Sequence, residues 1–151
     1  MYGPGFRDFV LEKPEHSPHY QYHKHDPDDV TTHRRSVYRF LVRSQPQPFM
    51  DTLDCADPSL MVDKRNETLT ALQALALLNN KFTVRMAEHF AARLESESKD
   101  RRRQIERAYQ LVVNRQPTGD ESDALADYAN EHGLPSACRL IFNLNEFAFV
   151  D

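Results

Sequence analysis

The spacing of hydrophobic and polar positions changes near residue 66. Before that point, prolines and histidines interrupt every apolar run, and proline removes a backbone donor, so long helices cannot form there. After it, apolar residues recur at intervals of three and four, which is the period of an amphipathic helix. The sequence therefore predicts an irregular, extended arm over residues 1–65 and a helical region over residues 66–151.

Five helices are predicted in the second region. The first begins with a capping-box pair, Thr70 and Gln73, and its buried face consists of Leu72, Leu75, Ala76 and Asn79. The others are predicted over 82–97, 101–114, 118–133 and 135–144. Because each helix has one apolar face, the faces must pack on one another. The predicted fold is mainly α, a compact bundle of about five helices.

One or two short strands are predicted in the proline- and histidine-rich arm. Residues 9–11 and 37–42 are rich in β-branched and aromatic residues, which favours strands or an extended arm laid across another surface. In a strand over 37–42, Arg39, Leu41 and Arg43 would lie on one face, opposite Phe40 and Val42.

Size and charge exclude several classes of function. The 151 residues suffice for one ordinary domain or a small domain with an arm. A formal net charge of -4 provides no global positive field, so we expect no nucleic-acid partner. The longest apolar stretch, 69–78, is about half of the ~20 residues that a membrane span needs. No signal peptide is recognised, and the first residues are typical of a cut within a longer chain.

The two cysteines, Cys55 and Cys138, lie in no Cys-x-x-Cys-His motif. This excludes a c-type haem attachment site within these 151 residues. The cysteines could form one disulfide if the fold brought them together, or they could be two separate half-buried thiols.

The histidines of the arm form a candidate metal site. Imidazole and carboxylate groups are suitable ligands for zinc or another divalent transition metal. The spacing matches no standard site and prolines interrupt it, so a solvated polar loop is the favoured interpretation. The candidate ligands are His16, His19, His23 and His25, followed by Asp26, Asp28 and Asp29.

Arginines near acidic residues form a candidate ligand site. Guanidinium groups hold carboxylates in a bidentate manner, so the set would bind an anionic ligand or attach the arm to the bundle through ion pairs. We favour attachment. The candidate ligand-binding residues are Arg34, Arg35, Arg65, Asp54 and Asp57, with Arg39, Arg43 and Asp51 close by in sequence.

A second basic run, Arg101 to Arg103 with Arg107, is interleaved with acidic residues, which predicts a solvated helix face. The sequence contains no nucleophile elbow, zinc-protease motif or phosphate-binding glycine loop. No catalytic constellation is recognisable, and whether the chain is an enzyme stays open.

An ordered series of motifs runs through the chain. The arm contributes His-Arg-Arg-Ser-Val-Tyr-Arg-Phe at 33–40, Pro-Phe-Met at 48–50 and Leu-Asp-Cys-Ala-Asp at 53–57. The most specific motif is the run at 64–79, followed by Glu-His-Phe at 88–90, Arg-Gln-Pro-Thr at 115–118 and a closing segment at 138–140 and 143–147. The series resembles the domain of unknown function 1553, the planctomycete-type domain of large proteins with cytochrome c-like modules.

The resemblance implies the C-terminal portion of an exported, multi-domain protein without an assigned reaction, with haem on a separate N-terminal module. This chain contains neither that module, nor the partner domain of unknown function, nor an export signal. The leading hypothesis is a helical interaction or structural module that packs against other domains of the same protein, in the periplasm or outside the cell, with no cofactor in this chain. The alternative is a fragment of an extracellular hydrolase acting on polysaccharides or their derivatives, with Arg34, Arg35, Asp54 or the histidines at its site.

Overall fold

The computed structural model describes residues 4–13, 17–56, 60–61 and 70–148. Within these ranges the chain forms seven α-helices and two short β-strands, which confirms the predicted mainly α fold. The chain divides into two compact units, residues 1–70 and 71–151. The predicted boundary near residue 66 falls in the stretch 62–69, outside the described residues.

The first unit contains an antiparallel pair of strands, β1 (Val10–Glu12) and β2 (His19–Gln21), with Leu11 opposite Tyr20. Phe9, next to β1, is buried, and its ring makes edge-on contacts with Tyr20 at 5.0 Å, Tyr22 at 5.7 Å and Phe40 at 6.1 Å. Such edge-to-face pairs are favourable for aromatic quadrupoles. This aromatic cluster stabilises the irregular chain around the strands.

The strand predicted over 37–42 does not form. Residues Ser36–Tyr38 are a 3-10 helix, and Arg39 makes only an isolated parallel bridge with Phe6. The N–H groups of Tyr38 and Arg39 donate to the carbonyls of Arg35 and Ser36, each at 3.0 Å. Because each residue has one backbone N–H, these two are not available for a strand ladder. Further 3-10 helices span Tyr22–Lys24 and Val30–Thr32.

A short helix, α1 (Pro48–Thr52), follows in the first unit. Pro48 suits the first turn, because the N–H that proline lacks would have no partner within the helix at that position. The Gln47 side chain accepts a hydrogen bond of 2.7 Å from the N–H of Met50. Asp54 has φ 56° and turns the chain after the helix, a conformation that Asp tolerates better than most residues. The N–H of Cys55 then returns to the carbonyl of Met50 at 3.0 Å.

The second unit is the helical bundle. Its helices are α2 (Ala71–Asn79), α3 (Lys81–Glu97), α4 (Arg101–Val112), α5 (Gly119–His132), α6 (Leu134–Ile141) and α7 (Asn145–Ala148). The side chains of Asn80, Asp100 and Thr118 cap α3, α4 and α5. Thr118 and Glu121 form a capping box at the start of α5, where the sequence predicts a helix from residue 118.

The core of this unit lies between α3, α4, α5 and α6. Small alanines let the helices approach closely, and larger side chains fill the space between them. The buried core residues are Ala87, Ala91, Leu94, Ile105, Ala108, Tyr109, Ala129, Leu134, Ala137, Cys138 and Ile141. Cys138 is thus buried, Cys55 is half-buried, and both are free thiols. No described helix is long and apolar enough to cross a membrane.

The predicted buried face of α2 is wrong for three of its four residues. Leu72 is 66% exposed, Leu75 is 55% exposed and Asn79 is exposed. The fourth, Ala76, is half-buried, as is Leu77, and Gln73 is buried. The helix is apolar on nearly every side, so the period of its apolar residues could not identify the inner face. The bundle therefore leaves leucines of α2 on the surface.

Candidate functional site

A cavity of about 140 Å³ lies within the first unit. Apolar side chains form one part of its lining: Leu41, Val42, Pro46, Met50 and Ala56. Polar and ionisable side chains form the rest: Tyr22, Arg39, Arg43, Gln47, Asp51 and Cys55. Concave sites with an apolar lining and a few convergent polar groups are typical of small-ligand sites.

Arg39 is the buried cation of this lining. The bridge to Phe6 fixes its backbone, because Phe6 N donates to the carbonyl of Tyr38 at 3.1 Å and Phe40 N donates to the carbonyl of Phe6 at 2.8 Å. The Arg39 side chain is 8% exposed and that of Asp8 is 13% exposed. Their atoms Nη1 and Oδ2 lie 3.6 Å apart, which is an ion pair but too long for a hydrogen bond.

Tyr22 provides an aromatic wall of the cavity. Its hydroxyl donates to the carbonyl of Gln45 at 2.9 Å, which holds the ring in place. Burial raises the pKa of Tyr22, and the nearby Asp8 carboxylate raises it further, while Arg39 lowers it. The ring therefore stays neutral and can act only as a hydrogen-bonding and packing group at physiological pH.

None of the three described members of the predicted ligand-binding set, Arg34, Arg35 and Asp54, lines the cavity. Arg34 lies 4.6 Å above the ring of Tyr38 and donates to the carbonyl of Pro4, and Arg35 is exposed. Asp54 forms the turn after α1. Arg65 and Asp57 lie outside the described residues, so this prediction stays a prediction. The cavity instead contains Arg39, Arg43 and Asp51, which the sequence placed only nearby.

The histidine-rich tract forms turns stabilised by its own side chains. Asp26 accepts a hydrogen bond of 3.0 Å from the N–H of Asp28, and Asp29 accepts from the N–H and hydroxyl of Thr31 at 3.0 and 2.7 Å. Both bonds from Thr31 lower the pKa of the Asp29 carboxyl, and the bond from the hydroxyl has the larger effect. Such Asx turns are a common use of aspartate in loops.

The candidate metal ligands of the tract are only partly described. His19 and His23 are exposed, and His25 Nε2 lies 3.2 Å from the hydroxyl oxygen of Thr32. His16 lies outside the described residues. Within the described ranges, no three histidine, cysteine or acidic side chains are grouped closely enough to hold a metal ion. Because one of the four ligands is not described, the metal site stays a prediction.

A second polar centre lies in the helical unit, around Arg115. Its guanidinium donates two hydrogen bonds of 2.8 Å to Glu121 and two, of 2.7 and 2.9 Å, to Glu146. A fifth, of 3.1 Å, goes to the carbonyl of Gln116, and the group lies 5.1 Å from the ring centre of Tyr109. An arginine side chain has five N–H donors, so all are used. The centre is a structural clasp, which the sequence did not predict.

The basic run of α4 lies on the helix surface as predicted, and two of its arginines, Arg102 and Arg107, bind side chains of neighbouring helices. Arg107 donates to Glu97 at 3.0 Å, and Arg93 donates to the same carboxylate at 3.1 Å. Both bonds lower the pKa of the Glu97 carboxyl, and the bond from Arg107 has the larger effect. Arg102 pairs with Asp123. The run therefore holds helices together and is not a free cationic stripe.

The chain was compared with models of known protein families, with curated proteins and with solved structures. A family model, PSD1, described as "Protein of unknown function (DUF1553)", matches residues 1–129. The chain belongs to the DUF1553 family. This confirms the resemblance found in the sequence. No curated protein and no solved structure matches the chain.

In this DUF1553 chain, the motifs that carried the resemblance supply residues to the cavity around Arg39 and to the polar centre around Arg115. The motif at 33–40 contains Arg39 and the motifs at 48–57 contain α1 and Cys55, which line the cavity. The motif at 115–118 contains Arg115 and the cap residue Thr118. The matched residues end inside α5, so the core helix α6 and the motifs at 138–147 lie beyond them.

Proposed function

We propose that this DUF1553 chain is a C-terminal helical interaction and structural module of a larger protein, and that it packs against other domains of that protein. The observation that carries the proposal is the surface of α2. Leu72 and Leu75 lie one turn apart and are 66% and 55% exposed, and Phe82, in the first turn of α3, is 45% exposed.

The composition of α2 supports this proposal. Of its nine residues only Gln73 and Asn79 are polar, and a helix that is apolar all round is typically covered on all sides. The bundle covers one side, since Gln73 is buried and Leu77 and Leu78 are half-buried. A second protein surface on the other side would remove Leu72 and Leu75 from water, which is worth roughly 25 cal/mol per Å² of apolar area.

The proposal extends to the context of the larger protein. By the family resemblance, that protein is exported to the periplasm or the outside of the cell and carries haem on a separate module. The sequence of this chain contains no Cys-x-x-Cys-His motif, so covalent haem would be attached elsewhere. A glycosidase, one form of the hydrolase alternative, typically needs two carboxylates facing each other across a cleft. The described lining of the cavity contains one carboxylate, Asp51, and thus does not favour that form.

Hydroxyl-radical footprinting of the isolated chain and of the longer natural protein tests the module. We expect oxidation of Leu72, Leu75 and Phe82 to be slow in the longer protein and fast in the isolated chain, with buried Tyr109 slow in both. Equal rates in the two proteins would overturn the proposal. A haem absorption band in the longer protein tests the proposed haem module. Recovery of the longer protein from an exported fraction tests the proposed export.

A pair of variants separates docking from folding. Replacing Leu72 and Leu75 together by Glu should change the unfolding free energy of the isolated chain by less than about 1 kcal/mol, because both side chains are exposed. The same change should expose Phe82 in the longer protein, whereas Ala124→Glu on the exposed side of α5 should not. If the isolated chain instead forms a stable dimer through these leucines, the face binds a second copy and the proposed domain packing is wrong.

A further inference from the structure

Arg39 carries hydrogen-bonding capacity that the described protein does not use. Its atom Nε and the Asp8 atom Oδ1 are both buried and have no hydrogen-bond partner among the described residues. A buried charged group that lacks a hydrogen-bond partner is costly, because the protein interior does not replace the solvation that the group has lost. Among the described residues this buried guanidinium has one ion pair, of 3.6 Å, and is therefore an incomplete arrangement.

The same side chain lines the cavity of about 140 Å³. The Nε atom itself is not accessible from solvent, so a ligand oxygen in the cavity would bind the terminal nitrogens of the guanidinium, whose planar fork matches the two oxygens of a carboxylate. Arg43 lines the same cavity and supplies a second positive charge. The buried cation and the space thus occur at one place.

The other charges decide which anion fits. Two arginines, Arg39 and Arg43, are opposed by two carboxylates, Asp8 beside Arg39 and Asp51 in the lining. A doubly charged phosphate would be repelled by both carboxylates, whereas a singly charged group would be repelled less. The remaining wall is apolar, with Leu41, Val42 and Met50, and such a wall suits a hydrocarbon chain.

We propose that the cavity of the first unit binds a small monocarboxylate with a short apolar body. The carboxylate pairs with the guanidinium of Arg39, Arg43 adds charge, and the apolar body packs against Leu41, Val42 and Met50. This inference is independent of the proposed packing module, because it concerns a different unit of the chain.

Cys55 provides the readout, since its half-buried thiol lines the cavity. The other thiol, Cys138, is buried in the helical core, and burial raises its pKa to about 12. Thiol alkylation proceeds through the thiolate, so the folded chain should be alkylated at Cys55 alone at neutral pH. Labelling of Cys138 marks samples in which the helical unit has opened.

The probe is butyrate, with the neutral isostere butyramide and inorganic phosphate as controls. Saturating butyrate should slow alkylation of Cys55 about tenfold, with half-protection at a concentration of about 0.1–10 mM, as expected for so small a ligand. Butyramide and phosphate should give little protection. No protection by butyrate, or equal protection by either control, overturns the proposal.

Variants assign the protection to the arginines. Arg39→Lys keeps the charge but loses the planar fork, and it should abolish the protection. Arg43→Gln changes an exposed residue and should weaken the protection by butyrate severalfold. It provides a test even if the chain does not fold with a substitution at the buried Arg39. Lys13→Gln, at an exposed cation of the same unit outside the cavity lining, should behave like the wild type. Protection that survives both changes in the cavity overturns the proposal.

Discussion

Arg115 and Glu121 face each other through two hydrogen bonds of 2.8 Å, one from each terminal nitrogen of the guanidinium to each carboxylate oxygen. The same carboxylate accepts a hydrogen bond of 2.7 Å from the N–H of Thr118, as part of the capping box of α5. One carboxylate therefore serves the helix cap and the ion pair together, so loss of either partner weakens both.

Arg115→Gln should lower the unfolding free energy of the chain by about 1 kcal/mol. The network consists of charged hydrogen bonds, but its side chains are a third to a half exposed, and solvent screening reduces their contribution. Arg103→Gln, at an exposed arginine of α4, should change it by less than about 0.5 kcal/mol. Urea unfolding measures both, and equal effects would show that the clasp adds no stability.

Acid should weaken the same clasp. The hydrogen bond from Arg115, followed by that from the N–H of Thr118, lowers the pKa of Glu121 from 4.5 to about 2. Because the folded pKa lies below the unfolded one, the stabilisation is complete above about pH 4.5 and is lost as the pH falls towards 2.

Urea unfolding of the wild type and of Glu121→Gln from pH 6 to pH 2 measures this loss. The difference in unfolding free energy should shrink over that interval. In an Arg115→Gln background the difference should vary much less with pH. An unchanged pH dependence in that background would mean that another group is responsible.

Gly133→Ala should destabilise the helical unit by about 1–3 kcal/mol, because Gly133 has φ 88° and ψ 151°, a conformation almost restricted to glycine. An added Cβ would lie 3.7 Å from the ring of Pro135, an ordinary contact, so the cost comes from the backbone alone. Gly119→Ala, at the first residue of α5 with open space around it, should be neutral or stabilise by up to about 1 kcal/mol. Thermal unfolding compares the two variants. A similar loss of stability in both would contradict the claim that the backbone conformation of Gly133 requires glycine.

Ile105→Ala should cost about 2–5 kcal/mol, because Ile105 is fully buried among packed helices and its truncation leaves a cavity. Leu75→Ala should cost less than about 1 kcal/mol, because Leu75 is 55% exposed. Chemical unfolding of the isolated chain measures both. A larger loss for Leu75 would show that α2 packs by the face that the sequence first predicted.

Most of the bundle could be predicted because its helices carry local signals. Thr118 with Glu121 marks the start of α5 and Gly133 its end, and these signals involve only neighbouring residues. The inner face of α2 could not be predicted, since Leu72 and Leu75 are as apolar as the residues that pack inwards. The single turn of α7 has no such signals and was missed as well.

The polar centres depend on contacts between distant residues, which no local pattern reveals. Arg39 pairs with Asp8 and Arg115 with Glu146, 31 residues apart in both cases. The arginine-rich motif at 33–40 indicated that some guanidinium groups would be paired, but not which one would be buried. The Arg-Gln-Pro-Thr motif at 115–118 contains the cap residue Thr118, but nothing in it indicates that Arg115 binds Glu146 of α7.

The guanidinium of Arg139, on α6, donates hydrogen bonds of 2.9 and 2.5 Å to the carbonyl of Leu78, at the C-terminal end of α2. The donor follows its acceptor by 61 residues. During synthesis on the ribosome, α2 therefore emerges well before the side chain that completes its last turn. Until α6 has left the exit tunnel, the carbonyl of Leu78 lacks this donor and the side of α2 that packs on α6 stays in water. A nascent chain stalled before Arg139 should consequently be the form of this protein that chaperones bind most readily.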